Sequence, residues 1–397
     1  MIELFYVLLI EQILQGLYSL WQGVEWLRMA RRHAGLPAGF YTPRVAVICP
    51  VKGLESSLEE NLAALANFDY AQYELFFSIA SAEDPAYRIL ASLAATAKRK
   101  IHIVRAGRPK DCGEKVNNLR VAVDQVGREF EVLVFVDSDG QPPRRWLARM
   151  LAPLADPRIG AATTFRWLLP RRGGFWSALA SAWNASIVTF LGKHDRNFCW
   201  GGGVAIRRDR FDNAHVMEAW GGSVSDDYSM TAALARAGDP IVFVPECLVA
   251  SSAEFGARKF FEFTNRQLII TRVYAPKLWL TAALGHVFYG AVVLLGLGLF
   301  VSNWAVGLPG LQILLLALFP AILCAGRGVL RLAAVLNMLP ERREKLLAYG
   351  WAWTLLAPLV PFVYLYNTLV AAFTRTITWR GIRYELISPQ QTRIIPR

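Results

Sequence analysis

Hydrophobic and polar positions fall into three kinds of block along this chain. Short apolar, β-branched runs occupy 44–50, 73–80, 101–104, 132–136, 159–165, 203–208 and 239–245. Runs of this length and type read as strands, buried on both faces where polar residues are lacking. Between them, 58–68 and 87–99 have helical periodicity. Lys115-Val-Asn-Asn118-Leu119 opens a further helix. Val224 to Met230 opens another with Asp226 and Asp227 in its first turn, where the helix dipole favours negative charge. Strands alternating with helices predict an α/β domain with a largely parallel sheet.

The third kind of block is long and apolar. Residues 4–27 are long enough, at ~1.5 Å per residue, to span ~30 Å of hydrocarbon. No Lys or Arg precedes this segment and no A-x-A site follows, so it reads as an anchor and not as a cleaved signal peptide. Arg28, Arg31 and Arg32 follow at once and, by the positive-inside rule, hold what comes next in the cytoplasm. Three more apolar segments lie at 279–301, 311–324 and 349–373, the last interrupted by Pro358 and Pro361. Arg327, Arg331, Arg342, Arg343 and Lys345 are expected in a cytoplasmic connection between the last two. Three full crossings would put the basic tail outside, so one segment is expected to be re-entrant, and 349–373 is the candidate. No intramembrane charge beyond Glu11 is expected, which disfavours a channel or transporter. The apolar stretch 175–192 carries Ser, Trp and Asn. It reads either as an interfacial helix flooring a lipid groove or as a buried domain helix. The organisation expected is therefore an anchor at 1–32, a linker at 35–43, a cytoplasmic α/β domain at 41–276, transmembrane or re-entrant helices at 278–373 and a basic tail at 374–397.

Composition supports a multi-pass integral membrane protein: 54% of residues are hydrophobic and the mean hydropathy is +0.30. The net charge of +12 suits lipid headgroups and a phosphate-bearing substrate. No zinc-knuckle or RNA-recognition signature is present, and nucleic acid is not expected as a partner. The five cysteines show no C-x-x-C pair and read as free thiols of a reducing compartment.

Candidate chemistry centres on Glu131-Val-Leu-Val-Phe-Val-Asp137-Ser-Asp139-Gly140. A buried strand here ends in two carboxylates, and open parallel sheets bind ligands just beyond their strands' carboxyl ends. Such carboxylates suit a hard divalent cation that in turn holds phosphate oxygens. A lone Asp after a strand is ordinarily a turn or cap residue. Here acids recur at three element ends, Asp84, Asp137 with Asp139, and Asp226 with Asp227. Lys115, Arg266, Gln267 and Arg272 supply polar and cationic groups. The set suggests a site for a nucleoside diphosphate and a metal.

In this order, Cys-Pro50-Val-Lys52-Gly53, Asp84, Lys115-Val-Asn-Asn, Asp137-Ser-Asp139, Gly-Gly-Gly203-Val-Ala and Ser-Asp-Asp227-Tyr resemble the inverting membrane glycosyltransferases of the GT-A (Rossmann-like) fold. The resemblance is strongest to the ceramide glucosyltransferase group, glycosyltransferase family 21, related to family 2. It covers roughly 44–276, and the Thr-Trp379-Arg-Gly-Ile-Arg-Tyr384 tail also fits. It implies that Pro50 and Asp84 line the nucleoside pocket and that Lys52 and Lys115 bind substrate. Asp137 then lies near the ribose and diphosphate, and Asp139 ligates Mg²⁺ or Mn²⁺. Asp227 is the general base and Asp226 a support residue. Where the family shows (Q/R)xxRW, this chain has Arg266-Gln267-Leu-Ile-Ile-Thr-Arg272. The Arg-Trp pair is replaced by Ile269-Ile270, and Arg272, next along, in part substitutes.

The implied reaction moves a hexose, such as glucose, from a UDP-sugar to a lipid hydroxyl such as that of ceramide, in sphingolipid or other glycolipid biosynthesis. One base and no second nucleophile imply inversion. Alternatives are transfer to diacylglycerol, to a hopanoid lipid or to a polyprenyl phosphate, the last using Arg207, Arg208 or Lys193. A processive polysaccharide synthase fits poorly without an intact QxxRW. A non-catalytic membrane scaffold with a degenerate transferase domain is the rival from another class.

Overall fold

In the computed structural model, which describes residues 1–33, 41–55, 57–193, 197–305 and 310–396, the short apolar runs form the centre of a seven-stranded sheet. Most of the expected 35–43 linker lies outside the described residues. The strands are β1 (Val45–Pro50), β2 (Tyr73–Ile79), β3 (Ile101–Arg105), β4 (Val132–Val136), β5 (Ala161–Thr163), β6 (Arg166–Pro170), β7 (Gly203–Arg207), β8 (Ile241–Phe243), β9 (Val249–Ala253), β10 (Thr376–Trp379), β11 (Ile382–Ser388) and β12 (Gln391–Ile395). The large sheet runs β3-β2-β1-β4-β7-β5-β8. β1 pairs parallel with β2 and with β4, β2 with β3, and β5 with β8, while β7 is antiparallel to both its neighbours. The expected α/β class with a mainly parallel sheet is what the chain adopts.

Strand periodicity explains why these runs need no polar residue. Val45, Val47 and Cys49 enter one core and Ala46 and Ile48 the other; Val132, Val134 and Val136 likewise oppose Leu133 and Phe135. The helices Leu58–Ala66, Ala86–Thr96 and Trp146–Leu151 cover the first face. Glu114–Gln125 and Asp226–Ala237 cover the second. Each buried Val, Leu or Phe contributes ~1.5–3 kcal/mol. The chain steps outward from β1 through β2 to β3, then returns to place β4 on the other side of β1. That reversal is the switch point at which such sheets bind ligands, and Pro50 and Asp137 stand at its two sides.

The basic tail is folded, which its charge does not foretell. β10, β11 and β12 make an antiparallel sheet, with Trp379 opposite Ile382 across a two-residue turn. Both turn residues are left-handed, Arg380 at φ 46° and Gly381 at φ 82°, the conformation such hairpins require. Tyr384 is buried and its hydroxyl accepts a bond from the Glu114 amide at 3.2 Å. Thr392 donates to the Gly222 carbonyl at 2.7 Å. Gly222 has φ 70°, and a Cβ there would overlap the Gln390 carbonyl.

The chain packs as two compact units. The α/β unit holds residues 33–167, 190–252 and 375–397. The membrane unit holds 1–32, 168–189 and 253–374. The division differs from the expected 41–276 domain: 168–189 and the helix Ala257–Tyr274 pack with the apolar helices, and the tail packs with the sheet. The stretch weighed above as interfacial or buried forms the helix Phe175–Ala185, with residues 177–185 all buried. Within the membrane unit, Trp353 donates to its Ser181 at 2.9 Å.

Four helical segments are long and apolar enough to cross a membrane: Ile2–Arg32, Pro276–Trp304, Leu311–Met338 and Gly350–Phe373. One sequence expectation is corrected here. The third segment does not stop near Cys324 but continues as helix through Arg327 and Arg331 to Met338, so both arginines belong to a spanning helix. Burial of Arg331 against neighbouring helices makes that continuation tolerable.

Residues on both sides of the last three segments share one folded unit, and therefore one side of the bilayer. An even number of crossings must separate Ser252 from Arg375. Re-entrance of 349–373 would satisfy that parity, as would re-entrance of either of the other two segments; a 3₁₀ turn at Ala357–Leu359 interrupts the helix in 349–373. Single cysteines at Lys98→Cys and Gln391→Cys, both exposed, will be labelled by an impermeant maleimide from the same face of sealed vesicles. Labelling from opposite faces would contradict the shared unit.

Candidate active site

Lys115 is the second residue of the helix Glu114–Gln125, and the fold buries most of its side chain. Its Nζ lies 2.8 Å from Asp137 Oδ1, at the end of β4, and 3.1 Å from Asp226 Oδ2, at the start of Asp226–Ala237. It also donates to the Gly201 carbonyl at 3.3 Å. A Cβ on Gly201 would stand 2.8 Å from this nitrogen, 3.2 Å from Asp226 Oδ2 and 3.5 Å from Asp227 Oδ2. The glycine turn before β7 therefore lets the backbone approach a charged cluster. Burial alone would favour the neutral amine, but Asp137, Asp226 and Asp227 hold the ammonium well above the ordinary lysine range.

The two acids that open Asp226–Ala237 differ in environment. Ser225 caps this helix by accepting from the Tyr228 amide. Asp226 is 5% exposed. Burial pushes its carboxyl up to about 7, against the pull of Lys115 and with repulsion from Asp227 and Asp137. Asp227 is half-buried, bonded to the Ser225 hydroxyl and to the Tyr228 amide at 2.8 Å. Among the described residues it forms no ion pair within 4 Å of a cation, so its open side faces the space beside Gly201.

Asp139 is held by Arg166 of β6, whose guanidinium also lies 3.9 Å from Asp137. Burial would push the Asp139 carboxyl up, but Arg166 first, then Arg380 and Lys115, hold it below the ordinary carboxylate range. Its carbonyl accepts from Ser251 at 2.6 Å.

The tail supplies Arg380 to the same cluster. It donates to the Lys52 carbonyl at 2.8 Å and pairs with Glu55. Lys52 Nζ lies 2.5 Å from Glu114. The Asp84 carboxylate accepts from the Gly53 amide at 2.9 and 3.0 Å and from the Ala86 amide at 2.9 Å. Pro50, Lys52 and Asp84 thus form one rim at the ends of β1 and β2.

Arg266, Gln267 and Arg272 lie on Ala257–Tyr274 in the membrane unit. Arg272 donates to the Ala371 carbonyl and stacks on Trp279 at 5.6 Å, so its guanidinium is engaged in helix packing. Arg207 and Arg208, weighed for a phosphate-bearing acceptor, pair with Asp209 and Asp212. Arg166 and Glu114 belong to no motif and Arg380 lies in the Thr-Trp379-Arg-Gly stretch of the tail; none is among the site residues expected from the sequence, yet they complete the cluster. The signal for Arg166 is a lone charge inside the apolar run Phe165-Arg166-Trp167-Leu168-Leu169. The signal for Arg380 is an Arg-Gly turn between alternating β-formers.

The cluster fits a divalent cation. Asp139 Oδ1 is buried with no hydrogen-bond partner in the protein. Asp137, Asp139, Asp226, Asp227 and Glu55 outnumber Lys115, Arg166 and Arg380. No group of three His, Cys, Asp or Glu side chains is set to hold a metal among the described residues. A small hard cation suits that, since it takes one or two carboxylates and fills its shell with phosphate oxygens and water.

A glycosyl transferase family 21 profile matches residues 4–392. Ceramide glucosyltransferase 1 of Caenorhabditis elegans is 23% identical over 247 residues, which are 59% of this chain and 51% of that protein. The chain thus matches about half the length of that relative. Among solved structures, a mannosyltransferase from Pyrobaculum calidifontis, in complex with GDP-Man and Mn2+, aligns over 93% of this chain and 97% of its own at 19% identity and a TM-score of 0.49. A mycobacterial protein aligns over 63% of this chain and 78% of its own, at 15% identity and a TM-score of 0.39. With the profile covering nearly every residue from the first helix to the last strand, the chain belongs to glycosyltransferase family 21.

Proposed function

We propose that this protein transfers a hexose from a UDP-sugar to the hydroxyl of a membrane lipid such as ceramide, with inversion, on the cytoplasmic face. One observation carries the reading: Lys115 ties the carboxylates after β4 to the acids of Asp226–Ala237, so the leaving-group side and the base side share one wall. The C. elegans relative, named as a ceramide glucosyltransferase, supports the choice of sugar and acceptor.

Pro50 and Asp84 line the nucleoside end of the cleft, with Asp84 fixing the Gly53 backbone. Asp137 sits by the ribose and diphosphate. Asp139 holds Mg²⁺ or Mn²⁺, which when bound neutralises charge on the departing diphosphate. Lys115, Arg166 and Arg380 bring fixed positive charge to the same oxygens, which helps most where negative charge develops. Asp226 holds Lys115 in place. Asp227, with an open side and no cation upon it, accepts the proton of the acceptor hydroxyl, which is worth ~10²–10⁴-fold. Attack from the base side, opposite the diphosphate, gives inversion.

Asp227→Asn will lower kcat at least about 10²-fold while UDP-sugar binding stays within about twofold; unchanged turnover would remove the base role. Asp139→Asn, or chelation of the parent protein, will abolish metal-dependent UDP binding measured by calorimetry. A panel of UDP-sugars with ceramide, diacylglycerol and polyprenyl phosphate, read by product mass, decides sugar and acceptor. Absence of any transfer would favour the scaffold reading.

Asp226 adds a pH signature. Its unfolded carboxyl ionises near ~3.9, and its folded one at about 7. Between these values the folded state binds the extra proton, so its contribution to stability is full below ~4 and is lost as pH rises to about 7. Asp226→Asn removes that loss. The variant's melting temperature relative to the parent's will therefore rise steadily from pH 4 to 7 and level off above it. A difference that does not change with pH would refute the buried-proton account.

A further inference from the structure

Arg327 and Arg331 are one turn apart on the spanning helix Leu311–Met338 and have no place in the reaction above. Arg331 is 8% exposed. One of its terminal nitrogens donates to the Ser186 carbonyl at 3.3 Å, while its Nε is buried with no hydrogen-bond partner in the protein. Arg327 contacts Cys324 Sγ at 2.6 Å, a weak acceptor, and its Nε is likewise buried without a partner. The Ser186 hydroxyl meets the Tyr364 hydroxyl at 3.0 Å, and Tyr364 stacks on Trp183 and His286 at 4.9 and 4.8 Å.

The charge around the pair does not balance. The segments Phe175–Ala185, Pro276–Ala305, Leu311–Met338, Gly350–Leu355 and Val360–Phe373 contain no Asp or Glu. In the first helix, Glu3 is exposed in the first turn, Glu25 is paired with Arg28 and Glu11 is bonded to Gln12, and Glu262 of the helix Ala257–Tyr274 is paired with Arg258. Ser186 closes the helix Phe175–Ala185, and a helix C-terminus offers about half a negative charge. Two guanidiniums against half a charge leave more than one positive charge at this point of the membrane unit. Arginines so placed are costly, repel each other at this spacing, and mark ligand sites.

Depth and chemistry narrow the ligand. Counted from Leu311, the two arginines lie ~24 and ~30 Å along the helix. The hydrocarbon is ~30 Å thick. Both therefore sit near the boundary on the side of Arg342, Arg343 and Lys345, at headgroup level. Guanidinium forks match phosphate oxygens two at a time, and a phosphate carries the charge that is missing. We infer that Arg327 and Arg331 form a binding site for the phosphate of a membrane lipid. The inference is independent of the reaction proposed above, and it stands whether that lipid is the acceptor or a bound companion.

The test uses the full chain in neutral-lipid nanodiscs and three probes: dioleoyl phosphatidic acid, dioleoylglycerol with the same chains, and inorganic phosphate. Binding is read by native mass spectrometry. Phosphatidic acid is expected to bind at least tenfold more tightly than dioleoylglycerol and to resist equimolar inorganic phosphate. Arg327→Gln and Arg331→Gln are expected to lose that preference, Arg331→Lys to keep part of it, and Arg343→Gln with Lys345→Gln to leave it within twofold. Equal binding of the two lipids by the parent protein would overturn the site, and needs no variant to fold. Displacement by equimolar inorganic phosphate would make the ligand a free anion. An equal loss in the Arg343/Lys345 variant would reduce the effect to general attraction at the surface.

Discussion

A single, mostly buried ammonium organises the α/β unit's cleft. Lys115 joins the end of β4, the glycine turn before β7 and the first turn of Asp226–Ala237. Without it, Asp137, Asp226 and Asp227 would face one another in a poorly hydrated space, where like charges cost most. With it, the acids stand close because the ammonium offsets part of their repulsion, and one of them, Asp227, stays open. The arrangement explains why Gly201 carries no side chain: any atom there would displace the nitrogen on which the cluster depends.

A second layer surrounds this centre. Arg166 holds Asp139 from β6, and Arg380 reaches the Lys52–Glu55 loop from the tail. The chain lacks the family's Arg-Trp pair. Arg272, the nearest replacement by position, is occupied at Ala371 and Trp279. The cationic character expected of that motif is instead present around Asp139 through Arg166 and Arg380, residues from two other parts of the chain.

The sequence discloses the large sheet well and the smaller sheets poorly. β1 and β4 are legible because strands with two buried faces must be apolar at every position. β6 and β9 are not: one begins with a charge and ends with Pro170, the other is mostly small and polar. The tail strands are masked by their basic residues, which read as a juxtamembrane segment, although Thr376 to Ile387 alternates as a strand should. Arg327 and Arg331 break the apolar run to which they belong, so a hydropathy reading ends that helix too early. The acids of the site are visible singly through their motifs. Their meeting is not, since it depends on how helix and sheet pack around Lys115.

The tail hairpin has a consequence for how the molecule is made. About 120 residues, almost all of them membrane helices, are synthesised between β9 and β10. At ~5–20 residues per second the ribosome takes several seconds or more to cover them. Throughout that interval the nascent sheet lacks Arg380, and the Tyr384 and Thr392 contacts cannot form. The cleft is therefore finished only after the translocation machinery has dealt with the apolar helices, so biogenesis itself delays the completed cleft until bilayer insertion is under way.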